Sequence, residues 1–215
     1  MSGTRAGREL LLATHNEHKR REFERLLQVG GPVPIALRAL PDEVELPPED
    51  ADSFSGNALG KARAAALQTA TVAIADDSGI CARALGGAPG VRSARYAGEH
   101  ASDRENLDKL LREAPAGSAL EYVCVIAYVD PAAGLERLFE GRCGGRLAAT
   151  PRGSGGFGYD PAFEPDDGPP GVTMAQLSDT EKDAISHRGR AARALAEWLA
   201  GEAPPGGGLR PATAG

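Results

Sequence analysis

The sequence predicts an α/β fold, a mixed β-sheet flanked by helices. Short apolar or β-branched runs at 9–13, 71–75 and 121–129 read as strands, and longer stretches with helical periodicity lie between them. Gly/Pro clusters separate the two kinds of segment. The chain has 215 residues, 41% hydrophobic and 25% charged, which is enough apolar material for a packed core.

In chain order, 9–13 is a buried strand broken by Thr14-His15-Asn16. Residues 17–27 place Phe23, Leu26 and Leu27 among charges, the pattern of an amphipathic helix. Gly30, Gly31 and Pro32 end it, 33–37 is a second strand, and the acidic, Pro-rich 41–52 is an irregular loop. Ser53 caps a helix, rich in Ala and Leu, that runs to Ala70. The strand 71–75 runs into Asp76-Asp77-Ser78-Gly79 at its C-terminal end, and 86–90 makes a tight loop. Ser102 and Glu105 form a capping-box pattern for a helix to Glu113. Strands at 121–129 and 135–147 pair around an Asp130-Pro131 turn. The Gly/Pro-rich 150–171 is a long functional loop or a set of short pieces. Ser178 and Glu181 cap the segment to Ile185, and 186–200 is a last helix ended by Gly201. One domain therefore spans 8–201, and the Pro/Gly-rich 202–215 is a disordered tail.

A net charge of −6 argues against a nucleic-acid partner, which needs a broad basic surface. A small anion is not excluded, because a few cations or a bound metal reverse the field inside a cleft. Cys81, Cys124 and Cys143 fit neither a zinc pattern nor a disulfide framework and read as reduced thiols. No leader-like apolar region and no run of ~18 apolar residues is present, so the expected location is cytoplasmic, with no membrane partner. Of the 24 basic residues only Lys19, Lys61, Lys109 and Lys182 are lysines.

Several segments carry possible chemistry. Asn16 and Lys19, one turn apart on the same helical face, stand where a strand feeds a helix, a place that favours anions, yet alone they read better as a polar helix start with a solvated lysine. Asn57 and Lys61, at i and i+4, pair a donor with a cation, or simply form an exposed helix face. Asp76 and Asp77 follow an apolar strand, where α/β folds gather their sites and where Mg²⁺ would find hard oxygen ligands. The same tetrapeptide is also good turn chemistry. Gly153 to Gly158 matches G-x-G-x-x-G, but no apolar strand precedes it and Tyr159-Asp160-Pro161 follows where a helix should open. That stretch reads instead as a loop whose Phe157 and Tyr159 place a ring against a base. Ser186-His187-Arg188, with Lys182 upstream, gathers three potential cations, or is an N-cap with exposed bases.

In order, the strings LLLATHNEHKRREFERLL, SFSGNALGKA, IADDSGICARALGGAPGVRSARYAG, GGFGYDPAFEP and EKDAISHRGRAARAL resemble the inosine/xanthosine triphosphate pyrophosphatase family. They span residues 10 to about 200, nearly the whole chain. The resemblance implies an elongated fold with two lobes around a central cleft, a homodimer, and Mg²⁺-dependent conversion of XTP, ITP or dITP to the monophosphate and pyrophosphate. By the same resemblance Asp77 is the catalytic and metal-site carboxylate, with Asp76 and Glu49 as further metal ligands. Thr14, Asn16, Lys19 and Lys61 bind phosphate and Ser78 contacts substrate. Phe157, Gly158, Tyr159 and Asp160 bind the nucleoside, with Lys182, His187 and Arg188 around the base. The chain departs from the family at Gly56, where a Glu is usual, at Arg83, where an Asp is common, and in the loop around Glu49. The rival reading is a purine-nucleotide sensor that has lost catalysis. Asp76, Asp77, Glu49 and the motif lysines count against it, since a pure binder needs no acid to activate water.

Overall fold

In the computed structural model, which describes residues 8–29 and 35–201, the alternation becomes one mixed six-stranded sheet. Its strands are β1 (Arg8–Leu12), β2 (Ile35–Ala39), β3 (Ala73–Ala82), β4 (Ala119–Asp130), β5 (Leu135–Leu147) and β6 (Phe163–Pro165), in the order β2-β1-β3-β4-β5-β6. β1 runs parallel to β2 and β3, and every other pairing is antiparallel. Around the sheet lie helices α1 (Glu17–Val29), α2 (Phe54–Thr69), α3 (Asp103–Glu113), α4 (Asp179–Ile185) and α5 (His187–Gly201).

The strand period of two explains the layering. Leu10 and Leu12 face a core with Phe23 and Leu27 of α1 and Leu195 and Leu199 of α5, whereas Leu11 faces the alanines of α2. Burying a side chain such as Phe23 contributes about 1.5–3 kcal/mol. A third cluster, holding Ile80, Leu107, Leu110, Tyr122 and Phe163, packs α3 and the loops onto the far half of the sheet. The expected α/β plan, a mixed sheet flanked by helices, follows from this division. Among the described residues no helix is long and apolar enough to cross a membrane.

Local signals set the helix ends. Ser53 accepts the Gly56 N–H at 3.1 Å, and full capping boxes form at Ser102/Glu105 and Ser178/Glu181. Residues 150–171 resolve into short pieces, a 3₁₀ turn at Asp160–Ala162 followed by β6. Gly201 belongs to α5 instead of ending it. The expected Gly30–Pro32 break, the start of the second strand at Val33 and the tail 202–215 lie outside the described residues.

One correction decides where the site sits. Asp76-Asp77-Ser78-Gly79 is not a turn after a strand but the middle of the ten-residue β3. Each of the four pairs with apolar β4, Asp76 opposite Ile126 and Asp77 opposite Val125, and this cross-strand pairing overrides the local turn preference. β1 pairs with β3 at Ala73 and Ile74, so at Asp76 and Asp77 β3 has run past the carboxyl end of β1 and pairs with β4. The acidic pair lies at that divergence, where α/β sheets open a crevice.

Candidate active site

As consecutive strand residues, Asp76 and Asp77 point to opposite faces of the sheet. Asp77 lines a cavity together with Glu49, Lys19, Asn16 and Ser78. Its Oδ2 accepts from Asn57 Nδ2 at 2.9 Å and its Oδ1 from the Ser78 N–H at 2.9 Å. Burial raises the Asp77 carboxyl pKa, the Asn57 hydrogen bond works against the rise, and the charge of Glu49 adds to it. Asp76 is fully buried and does not line the cavity. Its Oδ2 meets Lys19 Nζ at 3.1 Å and Arg188 Nη2 at 3.3 Å. Burial opposes ionisation there, but the charges of Lys19, Arg188 and Lys61 outweigh it and hold the carboxyl well below its usual range. The expected grouping of Asp76 with Asp77 and Glu49 as metal ligands is therefore corrected: the pleat turns Asp76 away, and it serves as a counter-ion. Among the described residues no group of three or more His, Cys, Asp or Glu side chains is arranged to hold a metal.

Asn57 and Lys61 are buried, not an exposed face of α2. The Lys61 ammonium donates to Glu49 and, at 2.6 Å, to the Asp76 carbonyl oxygen. Asn57 Oδ1 accepts the Ala51 N–H at 2.9 Å, which ties the loop bearing Glu49 to the helix. Gly56 is packed against Ala51, whose Cβ would lie 2.8 Å from a side-chain Cβ at that position. The departure at Gly56 therefore goes with the departure in the 41–52 loop. Asn16 precedes α1 and accepts the Lys19 N–H at 3.0 Å, so it caps the helix and does not share a helical face with Lys19. Thr14 Oγ1 accepts the Asn16 N–H at 3.2 Å; neither Thr14 nor Lys61 lines the cavity.

The far end of the cavity is built by the 157–160 segment and the junction of α4 and α5. Ser186 closes α4, and its hydroxyl accepts the Gly189 N–H at 3.0 Å to open α5. That junction points His187 and Arg188 inward, where both are buried. Arg188 donates to Glu22 at 2.6 Å and Ser78 Oγ at 2.8 Å, and its Nε has no partner. Lys182 donates to Glu22 at 2.6 Å and Asp160 at 2.7 Å. Burial, then the charges of Arg188 and Lys182, keep the His187 imidazole well below its usual pKa and so neutral; its Nδ1 is unpartnered. The Phe157 ring lies 5.3 Å from Lys182 Nζ and 5.6 Å from the Arg188 guanidinium, and stacks with His18 at 5.3 Å. Gly158, with φ 62°, donates its N–H to Asp103 at 2.9 Å, and the Tyr159 hydroxyl donates to the Ser93 carbonyl at 2.7 Å.

The structure thus gathers Asn16, Lys19, Glu49, Asp77, Ser78, Phe157, Gly158, Tyr159, Asp160, Lys182, His187 and Arg188 around one cavity. It adds Ser93, Asp103 and Tyr122 to the walls, and Glu22 behind Lys182 and Arg188. None of these four stood out in the sequence. Glu22 had one available signal: it follows Lys19 by three residues on the same helix.

The fold and sequence are similar to those of known proteins. A model of the Ham1 family matches residues 10–198. The dITP/XTP pyrophosphatase of Mycolicibacterium paratuberculosis is 46% identical over 196 residues, covering 88% of this chain and 95% of that protein. A HAM1 protein from Coxiella burnetii superposes with a TM-score of 0.80 at 37% identity, covering 91% of this chain and 100% of that one. A nucleoside-triphosphatase / dITP/XTP pyrophosphatase from Mycobacterium abscessus gives 0.66 at 40% identity, covering 89% and 98%.

Proposed function

The chain belongs to the Ham1 family, and on that premise we propose that it hydrolyses XTP, ITP and dITP to the monophosphate and pyrophosphate, clearing deaminated purines from the cytoplasmic nucleotide pool. One observation carries the reading. A single cavity holds Asp77, Glu49 and Lys19 at one end and the Phe157 ring with His187, Lys182 and Arg188 at the other, a plan that suits a triphosphate joined to a purine.

Asp77 orients a water through its carboxylate, which Asn57 and the Ser78 N–H hold in place. Water oxygen attacks the α-phosphorus, its proton passes to Asp77, and the bond from that phosphorus to the bridging oxygen breaks to release pyrophosphate. A carboxyl raised by burial is a stronger base than a solvated one, which suits this step. Lys19, which lines the cavity, stabilises the charge that develops on the leaving group, while Lys61 acts from behind the wall by holding Glu49. Asp77 and Glu49 are the pair that would hold Mg²⁺, because Glu49 already disfavours a charged Asp77 and a cation beside them would relieve that repulsion. Mg²⁺ commonly takes one or two carboxylates together with substrate phosphates. When bound it neutralises phosphate charge and polarises the reacting phosphorus. The working unit is a homodimer, and the acidic net charge keeps it off nucleic acid.

The test is incubation with ITP, with and without Mg²⁺, and identification of products by ion-exchange chromatography. IMP and pyrophosphate in one step are expected, only with the metal. IDP and orthophosphate would place the attack at the γ-phosphorus, and no turnover would leave the sensor reading.

A further inference from the structure

The base end of the cavity contains an aromatic side chain that the reading above does not use. Tyr122, on β4, is buried and lines the cavity. Its ring lies flat on the His187 imidazole, centroids 4.4 Å apart and planes 3° from parallel. Phe163 packs against it at 4.7 Å with a 59° tilt. Its hydroxyl donates to Asp160 Oδ1 at 3.0 Å, while Asp160 Oδ2 accepts from Lys182 at 2.7 Å and from the Phe157 N–H at 3.0 Å. One residue therefore touches two of the groups that surround the base.

Each contact removes a freedom. With one face of the imidazole covered by Tyr122, His187 turns its edge, not that face, toward a ligand. With Oδ1 taken by the Tyr122 hydroxyl, Asp160 cannot rotate without stranding a buried O–H, and it keeps Oδ2 on Lys182 and on the Phe157 backbone. We infer that Tyr122 is a specificity-determining positioning residue: it sets the plane of His187 and the rotation of Asp160, and so the donor and acceptor pattern that meets a 6-oxopurine. This rests on the proposed pyrophosphatase reading and deepens it.

Tyr122→Phe keeps the stack and deletes only the hydroxyl. Tyr122→Leu deletes both. The two variants and the wild type are compared for kcat and KM with ITP and ATP, for IMP binding by calorimetry and for thermal melting. In Tyr122→Phe, KM for ITP and Kd for IMP rise about tenfold, the scale of one hydrogen bond to a charged group, with kcat within about threefold of wild type. The preference for ITP over ATP narrows, and Tyr122→Leu loses more of it. A merely structural tyrosine would lower the melting temperature and leave KM and the ITP/ATP ratio in place. That result, or a fall confined to kcat, overturns the inference while ITP turnover by the wild type preserves the pyrophosphatase reading. A wild-type chain that neither hydrolyses ITP nor binds IMP overturns both.

Discussion

Glu22→Ala tests whether the ion network behind the base end is held by charge balance. Glu22 Oε1 accepts from Lys182 and Oε2 from Arg188, both at 2.6 Å, and the side chain is 9% exposed. In the connected set, three cations (Lys19, Lys182, Arg188) face three carboxylates (Glu22, Asp76, Asp160). The variant leaves three against two. Removing one partner of a buried pair costs about 3–5 kcal/mol. Here each stranded cation keeps another carboxylate, Asp160 at 2.7 Å for Lys182 and Asp76 at 3.3 Å for Arg188. The loss therefore falls at the low end, about 3 kcal/mol. For a domain of this size that lowers the melting temperature by roughly 6–12 °C. Glu22→Gln, which retains one acceptor oxygen, recovers part of the loss. The assay is urea unfolding at pH 7 followed by the fluorescence of Trp198, whose ring packs edge-on against Tyr128 at 4.9 Å in the core. A change below about 0.5 kcal/mol in both variants, the range of an ordinary surface substitution, would refute the reasoning.

Three further substitutions probe the site. Asp77→Asn should fold and lose at least about 10²-fold in turnover, because an amide cannot take the proton from water; activity within a few-fold of wild type would remove Asp77 from the chemistry. His187 is held neutral in the folded chain, so the unfolded chain binds the extra proton first. Stability from this group is complete above about pH 6.5 and falls by up to ~1.4 kcal/mol per pH unit as acid is added below it. His187→Gln should flatten urea-unfolding stability between about pH 6.5 and 5, and an unchanged slope would show that the imidazole titrates normally. Gly141 of β5 lies directly under the first turn of α5, where a Cβ would overlap the His187 carbonyl oxygen and the Ala191 nitrogen. Gly141→Ala should cost about 1–3 kcal/mol through overpacking and lower kcat/KM by shifting His187 and Arg188; full activity and stability would mean that the helix moves freely there.

What the sequence disclosed divides by the range of the interaction. Ser53, Ser102 and Ser178 marked their helix starts because a cap is completed within three residues. The β4–β5 hairpin was legible from alternation and one turn. The position of Asp76 and Asp77 inside a strand was not, because β4 supplies the pairing from some fifty residues away. Asn57 and Lys61 looked exposed because α2 carries alanine around much of its surface and shows little contrast between its faces. Glu22 looked like any charge on a charged helix, since its partners lie 160 and 166 positions further on. Gly141, a glycine inside a strand, did carry a readable signal of close backbone approach.

The same range effect changes the electrostatics inferred for the base end. Counted along the chain, Lys182, His187 and Arg188 are three cations waiting for a ligand. Folded, His187 is neutral, and Lys182 and Arg188 are matched by Glu22, Asp160 and Asp76. Among the described residues the buried side-chain atoms left unpaired are Arg188 Nε, His187 Nδ1 and Asp76 Oδ1. An excess of positive charge there would draw the phosphates into the wrong end of the cavity, whereas a balanced surface with a few directed polar atoms suits a neutral base. At the other end the balance is less complete, because Lys19 is partly exposed and reaches a carboxylate shared with Arg188, while Asp77 is disfavoured as an anion. On the proposed reading the phosphates meet that less balanced charge and the base meets the paired set, with the Asp76 carboxylate linking Lys19 of the one to Arg188 of the other.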